Sequence, residues 1–182
     1  LLTAEFWNSV PKSSRLNFVS IEKHPVSRPD LKKMLKFLET SNKNQFISNY
    51  PMPFKGQHVI WIQENVRVLI VLDDVVSALS NLDANVDFWF LDGFSPAKNE
   101  RMWDKQVFKK IRMLSRPGAR ALTYSSAGKV KFNLENNGFQ TKKEPGYGKK
   151  KEMLLGFLDG KWLPAALTEK DFTIVGSGLA GL

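Results

Sequence analysis

The sequence predicts an α/β protein, a largely parallel sheet with helices on both faces. Three observations carry that reading. Short β-rich apolar runs alternate along the chain with segments whose apolar residues recur at helical spacing. Three of the runs end on an acidic residue, as strands do where they open into loops at a sheet's carboxyl edge. The 182 residues are 42% hydrophobic and 25% charged, enough apolar mass for a sizeable core and too much for a disordered chain.

The elements follow in order. Leu1-Leu2-Thr3-Ala4 reads like the middle of a helix. Leu16 to Ile21 alternates, is β-rich and ends at Glu22. Ser27, Arg28 and Pro29 then open a helix in which Leu31, Met34, Leu35 and Leu38 fall at helical spacing. Residues 41–57 are polar and broken by Pro51, Pro53 and Gly56, so they read as loop. His58 to Ile62 and Val66 to Leu72 are two strands, the second closed by Asp73 and Asp74, and a short helix covers Val75 to Leu82. Val86 to Leu91 (VDFWFL) is the kind of run buried on both faces of a parallel sheet, and Asp92 ends it. Asp104 to Leu114 is an amphipathic helix, Arg116-Pro117-Gly118 a turn, Ala119 to Tyr124 a strand, and 127–137 a helix stopped by Gly138. Phe139 to Lys142 and Glu152 to Leu158 form a closing hairpin.

Charge is segregated. The net is +9, yet residues 93–151 hold fifteen basic and four acidic side chains, while the rest of the chain is slightly acidic. Such a segment suits a polyanionic partner. The absence of cysteine excludes disulfides, thiolate metal sites and a cysteine nucleophile, and two isolated histidines, His24 and His58, give no expectation of a metal. The longest apolar stretch, Val68 to Leu72, is far short of the roughly 20 residues that span a bilayer, and the start lacks the basic flank of a secretory signal. The expectation is a cytoplasmic protein without membrane contact; the sequence leaves its oligomeric state open.

The acids Glu22, Asp74 and Asp92 close successive strands. Any one of them could simply cap a helix; three in register point to a ligand site. The decisive motif is LDGFSPAKN, Leu91 to Asn99, followed by Met102-Trp103 and the basic amphipathic helix. With SRPGARALTYSSAG (Ser115 to Gly128), Asn137-Gly138-Phe139 and GYGKKKEML (Gly146 to Leu154) it resembles the methyltransferase half of the bifunctional bacterial enzymes that complete 5-methylaminomethyl-2-thiouridine at the tRNA wobble position, the MnmC family. The resemblance covers most of residues 16–158.

That resemblance implies a class I fold using S-adenosylmethionine, with seven strands ordered 3-2-1-4-5-7-6 and the last antiparallel; the segments here correspond to strands 2 to 7. It implies that Glu22 takes the ribose hydroxyls of the cofactor, Asp74 the adenine amino group, and that Asp92 faces the methyl group and the incoming amine. Methyl transfer to an amine asks mainly for position and an unprotonated nitrogen, both of which a carboxylate serves. Phe94 is expected to stack on or wall in the uridine, with Trp103 beside it; for both aromatics a purely structural place in the core weighs equally. Lys98, Arg101, Lys105, Lys109, Lys129, Lys131 and the run Lys149, Lys150, Lys151 are candidates for tRNA phosphates, each alone being as readily a solvated lysine.

After a polar linker at 159–170, Phe172 to Val175 runs into GSGLAG, whose Gly176, Gly178 and Gly181 match a dinucleotide-binding turn. In the resembled family an FAD-dependent oxidoreductase domain begins here, so 171–182 is expected to be its opening and 1–158 the methyltransferase domain. No glycine occurs in residues 1–21, so the cofactor loop that follows strand 1 in that family is not found upstream of Glu22. The expectation is a sheet without strand 1, with unpaired edges, unstable and inactive by itself. The alternative is a remnant that keeps only a basic RNA-binding surface.

Overall fold

The computed structural model describes residues 1–7, 9, 15–93, 99–124, 128–146 and 152–160. The order of elements is α1 (Leu2–Trp7), β1 (Leu16–Glu22), α2 (Arg28–Met34), α3 (Lys43–Asn49), β2 (Gly56–Gln63), β3 (Val66–Leu72), α4 (Val75–Ser80), β4 (Val86–Phe90), a 3-10 turn at Glu100–Trp103, α5 (Lys105–Leu114), β5 (Ser115–Thr123), α6 (Gly128–Asn136), β6 (Phe139–Pro145) and β7 (Glu152–Leu158).

The strands form two sheets. In the first, ordered β1-β3-β2, β1 runs parallel to β3 and β2 antiparallel; in the second, ordered β4-β5-β7-β6, β4 and β5 are parallel and β7 is antiparallel to both neighbours. β1 and β4 are both edge strands. Among the described residues each therefore has a strand partner on one side only, the arrangement expected of the resembled sheet with its central strand removed.

Local chemistry explains most of the boundaries. Ser27 caps α2 by accepting from the Asp30 N–H, with Pro29 in the first turn; Asp74 caps α4 by accepting from the Val76 N–H; Asp104 caps α5 by accepting from the Gln106 N–H. Gly138, at φ +86°, ends α6 in the left-handed region that glycine enters without strain.

Three expectations are corrected. Residues 43–49 form the helix α3, although polar side chains and nearby prolines suggested loop; Phe46 and Ile47 supply just enough of an apolar stripe to rest on the core. Arg116-Pro117-Gly118 lies inside β5 rather than in a turn before it. Pairing with β4 skips from Val86–Ser115 to Phe88–Arg120, so the segment is a bulge whose Gly118 sits at φ +86°. Finally, β4 is not buried on both faces. Trp89 packs inward, while Phe88 and Phe90 are 41% and 57% exposed on the other side.

Two cores result. One joins Leu79 of α4 to α5, α6 and the inner face of the second sheet, around Phe108, Val130, Leu134 and Leu154. The other joins Ala4, Leu31 and Tyr50 to Ile60, Ile62, Val66 and Ile70 of the first sheet. Ile21, Val75 and Val76 pack against the first core and so bind the two halves together.

Candidate active site

Parallel pairing sets the acid cluster. Register places Glu22 opposite Leu72, and the Asp73 N–H donates to the Glu22 carbonyl at 3.1 Å, so the carboxyl ends of β1 and β3 open side by side. Asp73 accepts from the Asp74 N–H at 2.7 Å and from Lys55 Nζ at 3.0 Å. The Lys55 ammonium holds its carboxyl below the usual carboxylate range. Asp74 is committed on both oxygens: Oδ1 accepts from the Val76 N–H at 3.1 Å, and Oδ2 lies 3.8 Å from Lys23 Nζ.

Glu22 differs from these two. Its side chain has no hydrogen-bond or ion-pair partner among the described residues, and burial pushes its carboxyl up from the ordinary value. It lines a cavity of about 290 Å³ whose wall is otherwise mostly apolar, with Phe18, Leu31, Tyr50, Ile62 and Val68 among its residues. Tyr50, 6% exposed, has its phenol raised by burial and then by the Glu22 charge, and its carbonyl accepts from Arg28 Nε at 2.7 Å. A solvent-accessible carboxylate without donors, at the wall of this cavity, is an open acceptor pair, suited to hydroxyl or amine hydrogens brought by a ligand.

Asp92 stands past the end of β4, where the Leu91 N–H still donates to the Leu122 carbonyl at 2.8 Å. Its side chain is exposed and has no partner among the described residues. Gly93 follows, beside the flexible end of the Met102 side chain, whose Sδ and Cε lie 2.5 Å from where a Cβ would stand. Ile21 and Leu91, the neighbours of Glu22 and Asp92, pack against the same core.

Trp103 is corrected. It is 2% exposed and packs beside Phe108, ring centroids 6.3 Å apart, so it is a core aromatic and not a wall of a substrate site. Lys129 pairs with Glu100 at 2.9 Å and Lys131 with Glu135 at 3.8 Å, whereas Arg101, Lys105 and Lys109 are exposed and without an ion-pair partner among the described residues. Phe94, Lys98, Lys149, Lys150, Lys151, Gly176, Gly178 and Gly181 lie outside the described residues. Sequence reasoning missed Lys23, Lys55, Asp73 and Tyr50. The doubled acid Asp73-Asp74 was the available signal, since two carboxylates after one strand call for cations nearby.

Acids at the ends of β1, β3 and β4, three of the four parallel strands, with a helix capped directly behind one of them, fit a nucleotide-cofactor protein of the α/β class. Residues 38–159 match the S-adenosyl-L-methionine-dependent methyltransferase family, and the chain belongs to it. More particularly, it is similar to proteins named tRNA 5-methylaminomethyl-2-thiouridine biosynthesis bifunctional protein MnmC. The one from Chromohalobacter salexigens is 36% identical over 190 aligned positions, covering 97% of this chain and 27% of the relative. The one from Leptospira interrogans is 36% identical over 183, covering 92% and 28%. The crystal structure of MnmC2 from Aquifex aeolicus shares the fold, with a TM-score of 0.66 at 20% identity over 89% of this chain and 50% of that one. The chain spans less than a third of the length of these curated relatives.

Proposed function

We propose that this chain is the methyltransferase part of a tRNA wobble-uridine modifying enzyme, which methylates the amine of 5-aminomethyl-2-thiouridine. The observation that carries the reading is the pair of carboxylates without a partner among the described residues, Glu22 and Asp92, at strand ends of a member of the S-adenosylmethionine-dependent family whose relatives are named for 5-methylaminomethyl-2-thiouridine biosynthesis. S-adenosylmethionine supplies an electrophilic methyl group on a sulfonium.

Glu22 fits the cofactor's ribose, because its oxygens can accept two hydrogen bonds from a diol. Asp74 fits less well. With one oxygen spent on α4 and the other near Lys23, it serves the adenine amino group only as a shared acceptor. Asp92 takes the proton from the substrate ammonium, which frees the nitrogen lone pair for attack on the methyl carbon as the carbon–sulfur bond breaks. Phe94 walls in the uridine, and Lys149 to Lys151 with Lys98 meet phosphates.

The domain limits belong to the same proposal: 1–158 for methyl transfer, a linker over 159–170, and 171–182 opening a domain that binds FAD through Gly176, Gly178 and Gly181 and removes the carboxymethyl group in a longer polypeptide. β1 and β4, each at the edge of its sheet, would flank a further strand, and a polypeptide as long as the relatives has residues to supply it. The test is methyl transfer from labelled S-adenosylmethionine to tRNA carrying the aminomethyl nucleoside, using a polypeptide extended upstream. Asp92→Ala should abolish transfer and leave cofactor binding largely intact; unchanged turnover refutes the role of Asp92. Micromolar cofactor binding by the 182-residue chain alone would refute the need for a further strand.

A further inference from the structure

We infer that the groove between α5 and α6 is an RNA-docking surface, lined by Lys105, Gln106 and Lys109 on one wall and by Phe132, Asn136 and Asn137 on the other. The inference rests on the proposed tRNA substrate and assigns it a surface outside the acid cluster. Three features support it.

Phe132 is 63% exposed in the middle of a polar helix face, where burial gives it no reason to be. Its helix already has its apolar anchors in Val130 and Leu134, so Phe132 is surplus to the core. An aromatic ring presented to solvent between cations and amides is a stacking platform for an unpaired base.

Lys105 and Lys109 are one helical turn apart, about 6 Å along α5. They face the ring from the opposite wall, with no carboxylate partner among the described residues. The nearby Lys129 and Lys131 have carboxylate partners in Glu100 and Glu135, which leaves Lys105 and Lys109 as the cations of this groove without one among the described residues. The amides of Gln106 and Asn136 add donors and acceptors suited to base edges and 2′-hydroxyls. An acidic protein surface would use the lysines but has less need of the ring.

The groove also leads toward the proposed reaction centre. The Lys129–Glu100 bridge ties the first turn of α6 to the 3-10 turn that follows the Asp92 loop, and α5 starts directly after that turn. A strand of RNA lying in the groove would therefore reach the loop that carries Asp92.

The experiment measures binding of unmodified tRNA and its anticodon stem-loop by fluorescence anisotropy over a salt series, with poly-glutamate as competitor. The protein is the full chain, extended as for the methylation assay. Phe132→Ala should weaken tRNA binding about 5- to 150-fold, as loss of one stacked base would, and leave the salt slope unchanged. Lys105→Glu with Lys109→Glu should lower that slope by about 1.4–1.8, as expected for two lost phosphate contacts. A carboxylate at position 105, in the first turn of α5, suits the helix dipole, position 109 is exposed, and a thermal melt of the double variant checks that it stays folded. Unchanged affinity and slope in variants of an otherwise tRNA-binding, methylating protein would overturn the groove and leave the proposed function standing. Absence of tRNA binding in the parent would overturn both. Equal displacement by poly-glutamate together with indifference to Phe132→Ala would overturn RNA as the occupant in favour of an acidic protein.

Discussion

Ser115 ties together the strand that carries Asp92, the neighbouring strand and the helix between them, so Ser115→Ala measures how firmly β4 is held. The Trp89 indole N–H donates to Ser115 Oγ at 2.8 Å, and the Ser115 hydroxyl donates to the Ile111 carbonyl at 2.6 Å, one of the carbonyls left open at the end of α5. β4 is hydrogen-bonded to a strand on one side only, so this relay is a substantial part of its anchorage. The substitution removes two hydrogen bonds, each worth about 0.5–1.5 kcal/mol net, and leaves the indole N–H without its acceptor. The expected loss is about 1–3 kcal/mol, read as a lower urea midpoint by tryptophan emission and as a fall in Tm of about 2–4 °C per kcal/mol. Trp89→Phe removes the donor, so in the Ser115→Ala background it should cost less than in the parent by about 0.5–1.5 kcal/mol. A loss under about 0.5 kcal/mol, or strictly additive effects in the cycle, would refute the relay.

Further outcomes follow from the same geometry. Glu22→Gln should stabilise the fold near neutral pH. Burial raises the Glu22 carboxyl, so the stability this group contributes is present below the unfolded value of 4.5 and is lost as pH rises through the higher folded value. The advantage of the variant should therefore shrink in thermal melts as pH falls through the raised folded value towards about 4.5 and be gone below it, and a constant difference across that window would contradict it. The same variant replaces an acceptor with a donor and should weaken S-adenosylmethionine binding about 10-fold or more by calorimetry in the extended polypeptide. Asp104→Ala removes the cap of α5 and should cost about 1 kcal/mol by urea titration, with Asp104→Asn restoring most of it. Gly118→Ala places a side chain at φ +86° in the β5 bulge and should destabilise by about 1–2 kcal/mol, whereas Gly128→Ala, in open space, should not.

The alternation of strand and helix was legible because most elements announce themselves locally: Ser27-Arg28-Pro29 before α2, Asp104 before α5 and Gly138 after α6 are chemical punctuation. The helix α3 was not, since its seven residues include only Phe46 and Ile47 as apolar anchors and its stability comes from the sheet beneath it, a tertiary effect. At the site, the strand-end acids could be read from position alone. What each acid is free to do could not, because that depends on partners distant in sequence. Lys55 reaches Asp73 from the loop before β2, while no hydrogen-bond or ion-pair partner reaches the Glu22 carboxylate among the described residues. Trp103 shows the reverse failure, in which adjacency to a conspicuous motif suggests a role that its place in the core denies.

The hydrophobic run of β4 carries more information than its observed burial uses. VDFWFL reads as a strand covered on both faces, yet Phe88 and Phe90 stand exposed with ring centroids 4.8 Å apart, on an edge strand that among the described residues has a strand partner on one side only. Both mismatches point the same way, to a sheet that continues past β4 toward β1 and to a further layer over the two rings. If one strand closes that gap, the loops bearing Glu22 and Asp92 come to flank it along a single carboxyl edge, and a ligand bridging them then binds the closed sheet in preference to the open one. Such a ligand stabilises the closed sheet by RT ln(1 + [L]/Kd), about 2.7 kcal/mol at a hundredfold excess over Kd. Sheet closure and cofactor affinity would then be one linked equilibrium. Variants that loosen β4, such as Ser115→Ala, should therefore weaken cofactor binding in the extended polypeptide although Ser115 lies at the opposite end of β5 from the strand ends that bear the acids.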